Sequence, residues 1–177
     1  MECRSAKGGN HAQGKVRHSG FRYRGHGVRR SSTGDAGVRR ADVHGLGTSR
    51  VSEPVDITLK VRDGKSEVIH VPASQDTVIQ QIVLAPGGQT GWHSHPGPAI
   101  ALIKGGELTL YDGDDPRCSS RSYGAGQAFI DGGQGHAHIA RNLSTTDNAE
   151  VWVTYLDVSP DQSTARIDQP SPGNCTF

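Results

Sequence analysis

The sequence has no run of apolar residues long enough to cross a membrane as a helix, since such a span needs about 20 of them in succession. Its basic start is not followed by an apolar stretch, so it does not resemble a secretory signal. Aromatic residues make up only 5% of the chain. These absences exclude a helical membrane protein and favour the cytoplasm as the expected location.

Cysteine is also scarce, with Cys3, Cys118 and Cys175 as the three examples. Their spacing matches neither a zinc ribbon nor a CxxC redox motif. Cys118 lies in a polar stretch and Cys175 in the C-terminal tail, so a disulfide that fixes the tail is one interpretation. The other is that the two are unrelated small residues, and the sequence leads us to prefer it.

Charge divides the chain near residue 50. The net charge is +1, but residues 1–50 contain 11 Lys and Arg against 3 Asp and Glu, whereas residues 51–177 contain 8 against 15. The first part includes ten glycines and few large apolar residues, so it cannot bury enough apolar surface to offset the entropy of ordering. We predict a disordered basic extension over 1–50 and one folded domain over 51–177.

The extension has three interpretations. Its Arg, Lys and aromatic residues are of the kind that contact nucleic acid. It contains no recognisable nucleic-acid-binding module, however, and this favours a solvated tail without a nucleic-acid partner. The third interpretation is that translation begins near Val51 and that this segment is not made.

The second part has the two-residue apolar period of β-strands, first over Val55–Arg62. Gly, Pro and Asp turns separate the segments, and no helix-like period occurs. The predicted strands are 55–62, 66–71, 77–84, 99–104, 107–111, 127–131, 136–142 and 150–158, with a loop at 112–121 and an irregular Pro-rich tail. Many short strands indicate an all-β sandwich or barrel.

Four histidines in this part form two His-x-His pairs, His93 with His95 and His136 with His138. On a strand, residues i and i+2 point to the same face, so each pair directs two imidazoles one way. Imidazole is a common ligand of Fe, Zn, Ni and Cu. A single pair would more often face solvent, but two pairs beside Gly-rich corners favour a metal site inside the domain.

These residues resemble the motifs of the cupin superfamily. The segment Gly87-x5-His93-Ser94-His95-x3-Ala99-x6-Gly106 is similar to the first cupin motif at every spacing, except that Ala99 stands where a glutamate is usual. The segment Gly135-x2-His138-x3-Asn142 is similar to the second motif, but Gly133 replaces the usual proline and Gly126 is one residue out of register. The resemblance implies a single jelly-roll barrel, commonly dimeric, with a metal inside it.

The resemblance also implies the ligands His93, His95 and His138, with His136 as a candidate fourth. Three-histidine sites occur in cupins similar to cysteine dioxygenase, so the missing glutamate need not prevent binding. Three neutral imidazoles leave the charge of a divalent ion uncompensated, which favours anionic ligands.

The expected function is that of a metalloenzyme of the dioxygenase or isomerase kind acting on a small molecule. The alternative is a non-catalytic cupin that binds a small ligand or serves as a scaffold. The larger aromatic residues Trp92, Phe129, Trp152 and Tyr155 are expected in the core rather than in a pocket.

Overall fold

The computed structural model describes residues 41–50, 52–53, 55–63, 65–160 and 165–177, without the side chains of 61–67. Within these ranges the chain forms twelve strands: β1 Asp42–Ser49, β2 Ile57–Asp63, β3 Lys65–Val71, β4 Asp76–Leu84, β5 His93–Ser94, β6 Ala99–Gly105, β7 Glu107–Asp112, β8 Ser120–Gly124, β9 Ala128–Asp131, β10 His138–Arg141, β11 Ala149–Val158 and β12 Ile167–Asp168. The described residues contain no helix, and so none that is long and apolar enough to cross a membrane. The prediction of an all-β fold is confirmed.

The strands form two five-stranded antiparallel sheets and a separate hairpin. One sheet has the order β1-β4-β11-β6-β9, the other β12-β5-β10-β7-β8, and β2 pairs with β3. Neighbours within the sheets are mostly not consecutive in the chain, as in jelly rolls built from Greek keys. One apolar cluster takes side chains from both sheets, so their inner faces enclose the core of a barrel.

Strand β11 shows how the sequence directs side chains into that core. Val151, Val153 and Tyr155 are buried, whereas Trp152 between them is 41% exposed. The alternation is the two-residue period of a strand with one face on the core. The expectation of a buried Trp152 was wrong, because its position in this alternation places it on the outer face.

Strand β1 corrects the predicted start of the folded domain. It lies within the segment predicted to be disordered, yet Asp42–Ser49 pairs with β4 along its length. All eight of its residues are exposed, so backbone hydrogen bonds rather than apolar burial hold it in the sheet. The structured region therefore begins before Val51, and a chain starting there would lack this edge strand. Residues 1–40 lie outside the described residues.

The C-terminal tail differs from its prediction in two ways. Its short strand β12 pairs with β5, and Cys175 forms a disulfide with Cys118, their Cα atoms 5.2 Å apart. The preference for unpaired cysteines was therefore wrong. Strand β8 was also missed, because its residues Ser120–Ser122 are exposed and polar and it is defined by pairing with β7.

Candidate metal centre

Three histidines from two separate segments meet inside the barrel. His93 lies on β5, His95 follows that strand directly, and His138 begins β10 opposite His93. Their ring centroids are 4.4 Å apart for His93 and His138, 4.9 Å for His93 and His95, and 5.2 Å for His95 and His138. One potential ligand atom from each lies within 4.8 Å of the others. The structure thus brings together the three residues that the sequence singled out.

Backbone carbonyls fix two of these rings. Nδ1 of His93 donates a hydrogen bond to the Gly91 carbonyl at 2.9 Å, and Nδ1 of His95 donates to the Ala165 carbonyl at 2.8 Å. A carbonyl can only accept, so the proton of each neutral ring is on Nδ1 and the lone pair is on Nε2. This is the arrangement of metal-binding histidines whose second nitrogen is held by the protein.

Burial keeps the three rings uncharged. It is the largest cause of a lowered pKa at each of them, and the pKa falls to about 2 for His93 and about 4 for His138. The positive charge of Arg166 lowers the pKa of all three further. At neutral pH the cluster therefore offers neutral imidazoles, the form that binds a metal.

Asp131 is a site residue that the sequence reasoning did not identify. It ends β9, its side chain is 9% exposed, and its Oδ2 lies 3.4 Å from Nδ1 of His138 and 3.8 Å from Nε2 of His95. Burial acts to raise the pKa of Asp131, but interactions with His136, His138 and His95 outweigh it and hold the pKa at about 2. The side chain is therefore a buried carboxylate beside the histidines.

The candidate fourth ligand His136 lies at the rim. It precedes β10 rather than belonging to it, and its Nε2 is 3.3 Å from Oδ1 of Asp114 while its Nδ1 is 3.7 Å from Oδ1 of Asp131. Asp131 is the main cause that raises the pKa of His136 to about 9, so the ring is protonated at neutral pH. His136 forms a second candidate metal-binding group with Asp131 and His138. Its role as a fourth ligand stays a prediction.

The histidines line a cavity of about 40 Å³ inside the barrel, together with Asp131, Ala99, Phe129 and Tyr155. This volume exceeds the roughly 10–15 Å³ that one water requires. Asp131, Phe129 and His138 also line a surface cleft of about 1060 Å³, so the cavity and the cleft share these residues. Burial raises the pKa of Tyr155 above its usual value, so its hydroxyl keeps its proton.

The motif residues that do not face the cavity have backbone roles. Gly133 has φ of 65° and its backbone abuts the Gly97 carbonyl, so neither a Cβ nor the fixed negative φ of a proline fits there. Asn142 is buried, and its amide donates to the carbonyls of Leu84 and Asp147. The departure at Gly133 therefore reflects a turn and leaves the His138 position intact.

No model of a known protein family matches the sequence, and no curated protein matches it either. Among solved structures, the DMSP lyase DddQ from Ruegeria pomeroyi DSS-3 is 21% identical over 55% of this chain and 45% of its own, with a TM-score of 0.43. An oxalate oxidase is 27% identical over 46% of this chain and 41% of its own, with a TM-score of 0.39. A cupin 2 conserved barrel domain protein from Salinispora arenicola CNS-205 is 19% identical over 45% of this chain and 61% of its own, also with a TM-score of 0.39. The chain covers less than two thirds of each.

The sheets and the motif residues together define the class of fold. Two five-stranded antiparallel sheets enclose one core, and the segments similar to the two cupin motifs lie side by side at β5 and β10. The described domain is an all-β barrel, and the two neighbouring segments at β5 and β10 are similar to cupin motifs.

Proposed function

We propose that this chain is a metal-binding single-domain cupin in which His93, His95 and His138 hold a divalent transition metal ion, either Fe, Zn, Ni or Cu. The observation that carries the proposal is the meeting of three buried, neutral imidazoles with their ligand atoms within 4.8 Å. Because Nδ1 of His93 and Nδ1 of His95 are each held by a backbone carbonyl, the Nε2 lone pairs of these rings are left for a metal ion. A donor set dominated by nitrogen suits these metals better than Mg or Ca.

We further propose that the site acts on a small oxygenated molecule, in a dioxygenase-like or isomerase-like reaction. When bound, such a metal supplies Lewis-acid or redox chemistry. The chain itself contributes the positive charge of Arg166, close enough to lower the pKa of all three histidines. Arg166 is also ion-paired with Asp168, Nε to Oδ1 2.7 Å, which reduces the attraction that its charge adds for an anionic substrate.

The size of the inner cavity supports an alternative, a non-catalytic cupin that binds a small ligand or serves as a scaffold. About 40 Å³ accommodates an ion with a water but not an organic substrate of several atoms. A substrate would have to approach from the cleft that Asp131 and His138 share with the cavity. Turnover of small carboxylic acids by the metal-loaded protein would favour the enzyme, and metal binding without turnover the alternative.

Elemental analysis of protein purified without an affinity tag tests the metal site. We expect about one transition metal ion per chain, and less than about a tenth of that in a His93→Asn/His95→Asn variant, because each replaced ring removes one ligand nitrogen. Asparagine is chosen because its amide can still donate to the Gly91 and Ala165 carbonyls. His70→Asn, at an exposed position, is the matched control.

The outcome against the proposal is equally specific. A wild-type protein that contains no metal, and that takes up none of Fe, Zn, Ni or Cu on dialysis, contradicts it. Full metal content in the double variant contradicts the assignment of His93 and His95.

Two further expectations remain proposals. A homodimer is supported by Trp152 and Leu102, cross-strand neighbours on β11 and β6 that are 41% and 49% exposed. The Cys118–Cys175 disulfide favours an oxidising compartment over the cytoplasm predicted from the sequence, because reducing compartments rarely maintain such bonds.

A further inference from the structure

The first motif lacks its usual carboxylate, but another carboxylate lies opposite that position on the neighbouring strand. Ala99 occupies the position where cupins usually carry glutamate, and its register partner on β9 is Asp131. Residues directly opposite each other in an antiparallel pair project to the same face, and both line the inner cavity. A carboxylate therefore reaches the cavity from the adjacent strand at the level of the missing one.

We infer that Asp131 is the fourth protein ligand of the metal, replacing the missing glutamate from the neighbouring strand. The inference rests on the proposed function. The Oδ2 atom of Asp131 is buried and has no hydrogen-bond partner, whereas Oδ1 accepts a hydrogen bond from the Gly133 backbone N–H at 3.3 Å. One oxygen is thus engaged by the backbone, and the other faces His138 and His95 without a hydrogen bond.

The shorter of the two distances between Asp131 and the histidines suits atoms that share one ion. Ligands about 2.1 Å from a metal lie about 3.0–3.5 Å from each other in octahedral or tetrahedral geometry. Oδ2 of Asp131 is 3.4 Å from Nδ1 of His138, within this range, and 3.8 Å from Nε2 of His95, just outside it. Asp131 also forms a group with His136 and His138 in which one potential ligand atom from each lies within 4.8 Å of the others. A buried carboxylate oxygen without a partner is costly, and coordination satisfies it.

A fourth, anionic ligand changes the charge expected at the centre. Three neutral imidazoles would leave a divalent ion with its full charge, as expected from the sequence. With the Asp131 carboxylate coordinated, the net charge of the centre falls to +1. The site then has the three-nitrogen, one-carboxylate donor set usual for cupins, supplied from a different strand.

Zn²⁺ titration of the metal-depleted protein by calorimetry tests the assignment with three chains. Asp131→Asn keeps an oxygen for the Gly133 N–H but removes the anionic ligand, so we expect binding weaker by more than about tenfold. Ala99→Glu/Asp131→Asn restores a carboxylate at the family's position, and we expect its affinity to return to within about tenfold of wild type. Asp114→Asn, which removes a rim carboxylate, is the matched control.

The double variant Ala99→Glu/Asp131→Asn distinguishes two roles of Asp131, that of a metal ligand and that of a residue that only orients His138. Wild-type affinity in Asp131→Asn overturns the inference, and so does a folded Ala99→Glu/Asp131→Asn chain that binds no better than Asp131→Asn. If the double variant does not fold, the visible absorption spectra of the Co²⁺-loaded wild type and Asp131→Asn decide. If Asp131 is a ligand, the bands of Asp131→Asn differ from those of the wild type. If Asp131 only contacts His138, the band positions stay unchanged. Failure of the wild type to bind Zn²⁺ is a different result, which removes the proposed function itself.

Discussion

The two His-x-His pairs of this protein have the same sequence pattern and different environments. His93 and His95 are both buried in the barrel and donate hydrogen bonds to backbone carbonyls. In the second pair only His138 is buried, whereas His136 lies at the rim between Asp114 and Asp131. One pair therefore consists of two neutral rings, and the other of one neutral and one protonated ring.

Membership of a strand does not explain the difference. His95 lies just outside β5 and His136 just outside β10, so each pair has one ring within a strand and one beside it. The direction of His136 is instead determined by the loop that precedes β10 and by the carboxylates near it. The spacing of a His-x-His pair therefore does not by itself place both rings inside the barrel.

The segments that contact the two histidine pairs are joined by a disulfide. The Ala165 carbonyl that holds His95 belongs to the tail, and Asp114 beside His136 belongs to the loop between β7 and β8. The Cys118–Cys175 disulfide joins that loop to that tail across a sequence separation of 57 residues. The amide of Asn174 adds hydrogen bonds to the carbonyls of Asp112 and Asp115.

The largest expected effect comes from removing this connection. Cys118→Ser/Cys175→Ser releases a closed loop of that length, and the chain-entropy relation gives a loss of about 4 kcal/mol in the free energy of unfolding. Urea unfolding followed by circular dichroism measures it, with Cys3→Ser as the control. A double variant as stable as the control would show that hydrogen bonds and β12 pairing alone hold the tail.

A change in pH is expected to have a smaller effect on the free energy of unfolding. The effect of the neutral rings has the opposite sign to that of the protonated ring of His136. The pKa of His93 and of His138 is lowered from 6.5, so below pH 6.5 the unfolded chain binds protons that the folded chain does not. Each of these two rings then lowers the free energy of unfolding by about 1 kcal/mol over the first pH unit below 6.5, and His95, whose pKa is also lowered, adds to this loss. The raised pKa of His136 instead contributes stability below pH 6.5, and this is lost as the pH rises through about 9.

Urea unfolding of metal-depleted protein at several pH values measures these slopes. His93→Asn should flatten the acidic slope by about a third, because His95 and His138 remain, whereas the exposed control His70→Asn should leave it unchanged. Equal acidic slopes in His93→Asn and wild type would contradict the assignment of His93 as a buried neutral ring.

Much of this site could be predicted from the sequence because it depends on local pattern. The two-residue period located β4, β6 and β11, and the motif spacings identified His93, His95 and His138. Asp131 could not be found this way, because its role depends on the pairing of β9 with β6, a contact between distant segments. Strand β1 was missed for a related reason, since it is held at a sheet edge by backbone bonds and has no buried side chain to mark it.

The smallest expected effect tests whether the rim is separate from the inner site. In Asp114→Asn, the pKa of His136 should fall from about 9 but stay above 6.5, because Asp131 is the larger cause of the shift and remains. Asp114 is 78% exposed, so the loss of stability should be below about 1 kcal/mol. Titration of the imidazole proton resonances measures this pKa in the metal-depleted protein, with His70 as an internal reference. The rim and the cavity would act as one unit if the His93 or His138 resonances shifted together with those of His136, or if the Zn²⁺ affinity changed several-fold. The contrast between the two histidine pairs would then not hold.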